Sequence, residues 1–163
     1  MPPKRKTKKR PRGPTTVPPE DLIDPVQRKE ILKAFERSLD GEKDTLSIRE
    51  SKRALKELGV DVKSEEIRSL SNEEEDIQLD ESSFLHFAAL KLTQLEKSNK
   101  AFDLIDTGGK GVVVVQDLAR VAKELDEDLT EEELVEMMDF VDRSGDGMLS
   151  RKDFARIAKK VHL

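Results

Sequence analysis

Asp142-Arg143-Ser144-Gly145-Asp146-Gly147-Met148-Leu149-Ser150-Arg151-Lys152-Asp153 is the stretch on which the reading of this chain turns. Oxygen donors recur at alternate positions of a twelve-residue frame. Asp142, Ser144 and Asp146 stand at positions 1, 3 and 5, Met148 offers its backbone carbonyl at 7, and Asp153 closes the frame at 12. Ser150 stands at 9. Hard cations take such oxygen ligands. Gly147 at position 6 allows a sharp turn, and Leu149 at position 8 is an apolar residue placed to pair with a second loop. Asp at position 12 is shorter than Glu and reaches a cation with one oxygen more readily than two. The expected guest is therefore Mg²⁺ or weakly held Ca²⁺, with a dissociation constant on the order of 10⁻⁵ M or weaker.

Moving towards the N-terminus, the motif repeats. Phe102-x-x-Ile105-Asp106 recurs as Met138-x-x-Val141-Asp142, an offset of 36 residues. Helix–loop–helix repeats around such a loop define the EF-hand pattern. The third loop runs from Asp106 to Asp117, with acids at both ends. Gly108 supplies no side chain at position 3, and Lys110 puts a cation at position 5. A lysine there repels Ca²⁺ and can place its own ammonium among the carboxylates. The valine run from 112 to 115 suits β pairing with Leu149. The first loop keeps the spacing of Phe35, Leu46 and Glu50, but Leu39, Gly41 and Lys43 fill positions 1, 3 and 5. The second passes through Glu73-Glu74-Glu75-Asp76, with Leu79 at position 8 and Ser83 at position 12. Metal binding is thus expected at loop 4, with at most one or two weak sites in the chain.

The apolar spacing is helical from residue 26 onward. Ile31, Ala34 and Phe35 share a face, as do Phe84, Phe87 and Ala88, then Leu95, Phe102 and Ile105, then Leu118, Val121, Ala122 and Leu125, then Leu134, Met137, Met138 and Val141. Asp24…Gln27, Ser47…Glu50, Thr130…Glu133 and Ser150…Asp153 read as capping boxes. The expected fold is all-α, with about eight helices forming two EF-hand-pair lobes. The divisions are 1–23 for an N-terminal arm, 24–95 for a degenerate first pair and 96–163 for the second.

Charge is divided in the same way. The chain of 163 residues carries a formal −5, yet residues 1–13 hold seven bases (Lys4, Arg5, Lys6, Lys8, Lys9, Arg10, Arg12) and no acid. The remainder holds 23 bases against 35 acids, a net of −12. All seven prolines lie within the first 25 residues, so the arm is expected to be extended and disordered. It could meet a polyanion or an acidic protein surface such as tubulin, or act as a nuclear import signal. It has no interleaved aromatic, which argues against stacking on bases and against sequence-specific nucleic-acid recognition.

Several classes fall away. Without cysteine there is no disulfide framework, thiolate metal site or cysteine nucleophile. The longest uncharged apolar-rich stretch, about 82–90, is too short for a membrane-spanning helix. His86 and His162, the two histidines, lack metal-ligand spacing, and no nucleophile–base arrangement or phosphate-binding glycine loop is visible. Catalysis is not expected.

Leu129-Thr130-Glu131-Glu132-Glu133-Leu134-x-Glu136-Met137-Met138, the loop opening Asp142-Arg143-x-Gly145-Asp146-Gly147 and the ending Phe154-x-Arg156-Ile157-x-Lys159-Lys160-x-x-Leu163 resemble centrin (caltractin), a calmodulin relative of centrioles and basal bodies. The resemblance is architectural over 26–163 and specific over 124–163. It implies a non-enzymatic protein of the microtubule-organising centre, basal body or flagellar cytoskeleton that grips an amphipathic helix of a larger protein. The groove it implies lies among Phe102, Leu118, Val121, Leu125, Met137, Met138, Phe154 and Ile157. Loops 1 to 3 depart from the family by losing ligands. Two other readings stand beside it: a myosin- or dynein-type motor light chain, and a nuclear accessory subunit that uses the basic arm.

Overall fold

The computed structural model describes residues 18–70 and 77–160. The basic residues from Lys4 to Arg12, the acid run from Glu73 to Asp76 and His162 lie outside them.

A short 3₁₀ turn at Pro19–Asp21 leads into helix α1, Pro25–Ser38. Asp24 caps α1 through its side chain, which accepts from the N–H groups of Val26 and Gln27 at 2.7 and 2.9 Å. Gln27 returns a contact to the Asp24 N–H at 3.1 Å, completing the capping box. Strand β1 (Thr45–Ser47) then leads into α2, Ile48–Glu57, and α3 spans Ser64–Arg68. Strand β2 (Gln78–Asp80) pairs antiparallel with β1, placing Leu46 opposite Leu79.

About eight helices were expected, with the stripe at Phe84, Phe87 and Ala88 apart from the one at Leu95, Phe102 and Ile105; the described residues hold seven α-helices. A single helix α4, Glu81–Ile105, runs through both stripes instead. Its 25 residues contain neither Gly nor Pro, so nothing in the backbone stops it. At 1.5 Å per residue it is about 37 Å long. Strand β3 (Val112–Val113) and α5 (Val115–Glu124) follow, then α6 (Glu131–Val141), β4 (Leu149–Ser150) and α7 (Arg151–Lys160). The β3–β4 pairing puts Val113 opposite Leu149, joining loops 3 and 4. The body is all-α apart from these two short ribbons, as the periodicity predicts.

Most of the described buried apolar residues fall into two clusters; Ala89, Ala122, Leu134 and Ala158 are buried outside both. Fifteen from Ile31 to Ala88 make the first, in which the rings of Phe35 and Phe84 lie 5.5 Å apart. The second has four, Phe102, Val113, Met138 and Leu149, with Phe102 edge-on to Phe154 at 5.6 Å. Full burial of each Val, Leu, Ile, Phe or Met side chain among them is worth about 1.5–3 kcal/mol. The first pair is therefore much the better filled. Partly covered apolar residues border both, seven at the first and six at the second, so around its four buried residues the second has more partly covered than buried apolar side chains.

Candidate metal centre and apolar face

Every position-12 acid in loops 1, 3 and 4 has a structural duty at the start of the following helix. Glu50 accepts from the Ser47 N–H at 2.7 Å and from the Ser47 hydroxyl at 2.6 Å. The hydroxyl bond above all holds its carboxyl below the ordinary range. Asp117 accepts from the Val114 N–H at 2.9 Å, and Asp153 accepts from the Ser150 hydroxyl at 2.5 Å. An acid that satisfies orphan donors at a helix start stabilises that helix without any metal.

Loop 4 is organised around Asp142. One of its carboxylate oxygens accepts from the Ser144 hydroxyl at 2.7 Å, the Ser144 N–H at 2.9 Å and the Gly145 N–H at 3.0 Å. The other accepts from the Gly147 N–H at 2.7 Å. The Ser144 hydroxyl contributes most to holding the Asp142 carboxyl below its usual range, followed by these backbone donors. Asp146 accepts from the Met148 N–H at 3.0 Å. Gly145 and Gly147, at φ 70° and 74°, supply the left-handed turns the loop requires. Asp153 stands apart. Beyond Ser150, it pairs with Arg156 Nη2 at 2.7 Å. Among the described residues, no three acidic or histidine side chains converge closely enough to hold a metal ion.

The donor set of Asp142, Ser144, Asp146, the Met148 carbonyl, Ser150 and Asp153 fits a hard cation in kind and number. Asp142, Ser144 and Asp146 already share one turned loop. Asp153 is the exception, because it is neutralised by a neighbour on its own helix. Sequence spacing located these residues and gave no sign of the Arg156 contact.

Loop 3 is closed differently. Lys110 Nζ lies 3.2 Å from Asp106 Oδ1 and 3.0 Å from Asp117 Oδ1, between the first and last positions of the loop. Asp106 also accepts from the N–H groups of Lys110 and Gly111 at 3.0 and 2.7 Å. Loop 1 presents no comparable cage, since Leu39 ends α1 and Glu50 is engaged with Ser47. His86 contacts Glu20 at 2.7 Å, tying the 3₁₀ turn to α4.

The eight apolar residues expected to form a groove divide into three groups. Phe102 and Met138 are fully buried and act as core. Leu118, Phe154 and Ile157 are half-buried at the edge of that core, and Val121 is half-buried without packing against it. Leu125 and Met137 are exposed, at 68% and 48%. Two further exposed residues were absent from the sequence reading: Phe140 at 87% and Leu104 at 76%. They are 36 residues apart and hold equivalent places, each two residues before its loop. That offset, together with their place off the apolar stripe, was the signal that could have found them.

The EF-hand domain pair family matches residues 95–159. The chain is 38% identical over 126 residues to Caltractin ICL1e of Paramecium tetraurelia, covering 73% of this chain and 68% of that protein. It is 36% identical over 118 residues to Caltractin of Naegleria gruberi, covering 69% and 68%. Against Centrin-3 of Homo sapiens the figures are 30% over 118 residues, with 69% and 71% covered.

Proposed function

Because this chain belongs to the caltractin (centrin) family of EF-hand proteins, we propose that it is a non-enzymatic binding protein whose C-terminal pair grips an amphipathic helix of a larger protein. One observation carries this reading: the unequal filling of the two cores. Fifteen described residues are buried in the first cluster and four in the second. Large apolar side chains of the C-terminal half remain exposed, Met137 and Leu125 among them. A filled lobe is a structural body, whereas a lobe with uncovered apolar side chains has surface to bury against a partner. Met137 has the unbranched, polarisable chain that adapts to varied anchors.

In this reading residues 24–95 form the structural half and 96–163 the binding half. Loop 4 contributes one weak Ca²⁺ or Mg²⁺ site through Asp142, Ser144, Asp146, the Met148 carbonyl and Asp153, a hard ion that would draw the loop oxygens together. The setting is the microtubule-organising centre, basal body or flagellar cytoskeleton. The basic arm adds a salt-sensitive contact to an acidic surface. No described helix is long and apolar enough to cross a membrane.

The test is capture of partners from a cytoskeletal extract by the full chain and by Met137→Glu. Retention of one large protein rich in helical repeats, lost in the variant, supports the proposal. Capture of a motor heavy chain would transfer the protein to the light-chain reading. Equal capture by both chains would remove the C-terminal face from the binding site.

A further inference from the structure

We propose that loop 3 carries its own cation: the Lys110 ammonium closes this loop as a bound ion would, so that loop 3 keeps its paired and capped form without metal. The consequence for regulation, which rests on the reading of loop 4 given above, is that metal response in the C-terminal pair is confined to loop 4 and is non-cooperative.

The geometry around Lys110 is that of an occupied site. The Asp106 side chain is only 2% exposed and that of Asp117 10%. A carboxylate so far from water is costly unless it is paired and hydrogen-bonded. Lys110 supplies the pairing to both, from a distance of 3.0 to 3.2 Å. The N–H groups of Lys110, Gly111 and Val114 supply the remaining bonds. The lysine thereby links the end of α4 to the first turn of α5, the two helices that flank the loop.

Gly108 makes this possible. A Cβ at residue 108 would meet Lys110 Cγ at 3.2 Å and Nζ at 3.5 Å. A ligand side chain at position 3 and a lysine folded in from position 5 compete for one volume. The two departures from the metal-binding pattern, glycine at 108 and lysine at 110, are therefore one spatial substitution: a tethered cation in place of two ligands. The loop also keeps the features that serve pairing. Val113 stays opposite Leu149, and its side chain is fully buried. In loop 4, Asp146 holds the place of Lys110, and the cation that reaches Asp153 comes from outside the twelve-residue frame.

The experiment uses the full chain, melted in EDTA and then titrated calorimetrically with Ca²⁺ and with Mg²⁺. Lys110→Met keeps most of the length of the side chain and removes its charge. It is expected to lower the metal-free melting temperature by a few degrees, whereas Lys110→Arg restores most of the loss. The double variant Gly108→Asp/Lys110→Asp is expected to melt lower still in EDTA and to bind one more equivalent of metal than the parent. An unchanged metal-free melt in Lys110→Met would overturn the proposal, as would a double variant that binds no additional metal. If Lys110→Met does not fold, Lys110→Arg decides: parental melting supports the charge as the cause, and loss of folding overturns it. The metal-free melts involve neither loop 4 nor a target helix, so failure here is distinct from failure of the proposed function.

Discussion

Arg156 Nη2 lies 2.7 Å from Asp153 Oδ1, one turn along α7 from the residue that would complete the loop-4 cage. The pair competes with a metal for the same carboxylate. Both side chains are partly exposed, so the contact is worth about 0.2–1 kcal/mol. Arg156→Ala should therefore tighten Mg²⁺ and Ca²⁺ binding at loop 4 by up to about fivefold. Calorimetric titration measures this directly, and weaker binding in the variant would mean that Arg156 positions Asp153 for the metal.

Asp153→Glu should act in the same direction and change selectivity as well. The longer side chain can offer two oxygens, as Ca²⁺ prefers and Mg²⁺ does not require. The expected result is a gain in Ca²⁺ affinity of about tenfold with little change for Mg²⁺. Competition titrations compare the two ions in one sample. Equal gains for both would show that reach is not the limiting factor.

The pH dependence of the metal-free fold follows from loop 3. Burial opposes ionisation of Asp106, but the N–H groups of Lys110 and Gly111 and the Lys110 ammonium outweigh it and hold the carboxyl below its ordinary range. A depressed carboxyl contributes stability that is present above about pH 3.9 and is lost as the pH falls through the folded value. Lys110 is raised, by Asp117 first and, against its partial burial, by Asp106. Its contribution is present below about pH 10.4 and is lost as the pH rises through the raised value. In EDTA the loop-3 contribution to the melting temperature should thus stay level between about pH 5 and 9 and decline below about pH 4. Lys110→Met should flatten that acid decline, a difference read by scanning calorimetry across the range.

The two cores should respond differently to truncation. Phe84 is fully buried and packs against Phe35, so Phe84→Ala is expected to cost about 3–5 kcal/mol. Met137 is about half exposed, and replacing it by Glu should change stability by less than about 0.5 kcal/mol while abolishing target capture. Denaturant titration of both variants tests the contrast. A large loss of stability in Met137→Glu would place that side chain in the core.

Loop spacing and helical periodicity determined much of this protein from sequence alone. The offset of 36 residues, the capping boxes at Ser47 and Thr130 and the pairing of Val113 with Leu149 are local or repeat features. Each depends on a few residues at set distances along the chain. The loss of ligands in loops 1 and 3 was legible for the same reason, because a side chain that is absent cannot coordinate. Tertiary structure decided the rest. The helical stripes before and after residue 95 gave no sign that they belong to one helix, since a boundary shows only where the backbone is interrupted. The exposure of Phe140 and Leu104 depended on which helix faces the small second core could cover. Asp153 could have faced a metal or Arg156, and Lys110 could have pointed into solvent or between two carboxylates. Spacing leaves such choices open, because a charged side chain takes the partner that loop closure brings within about 3 Å.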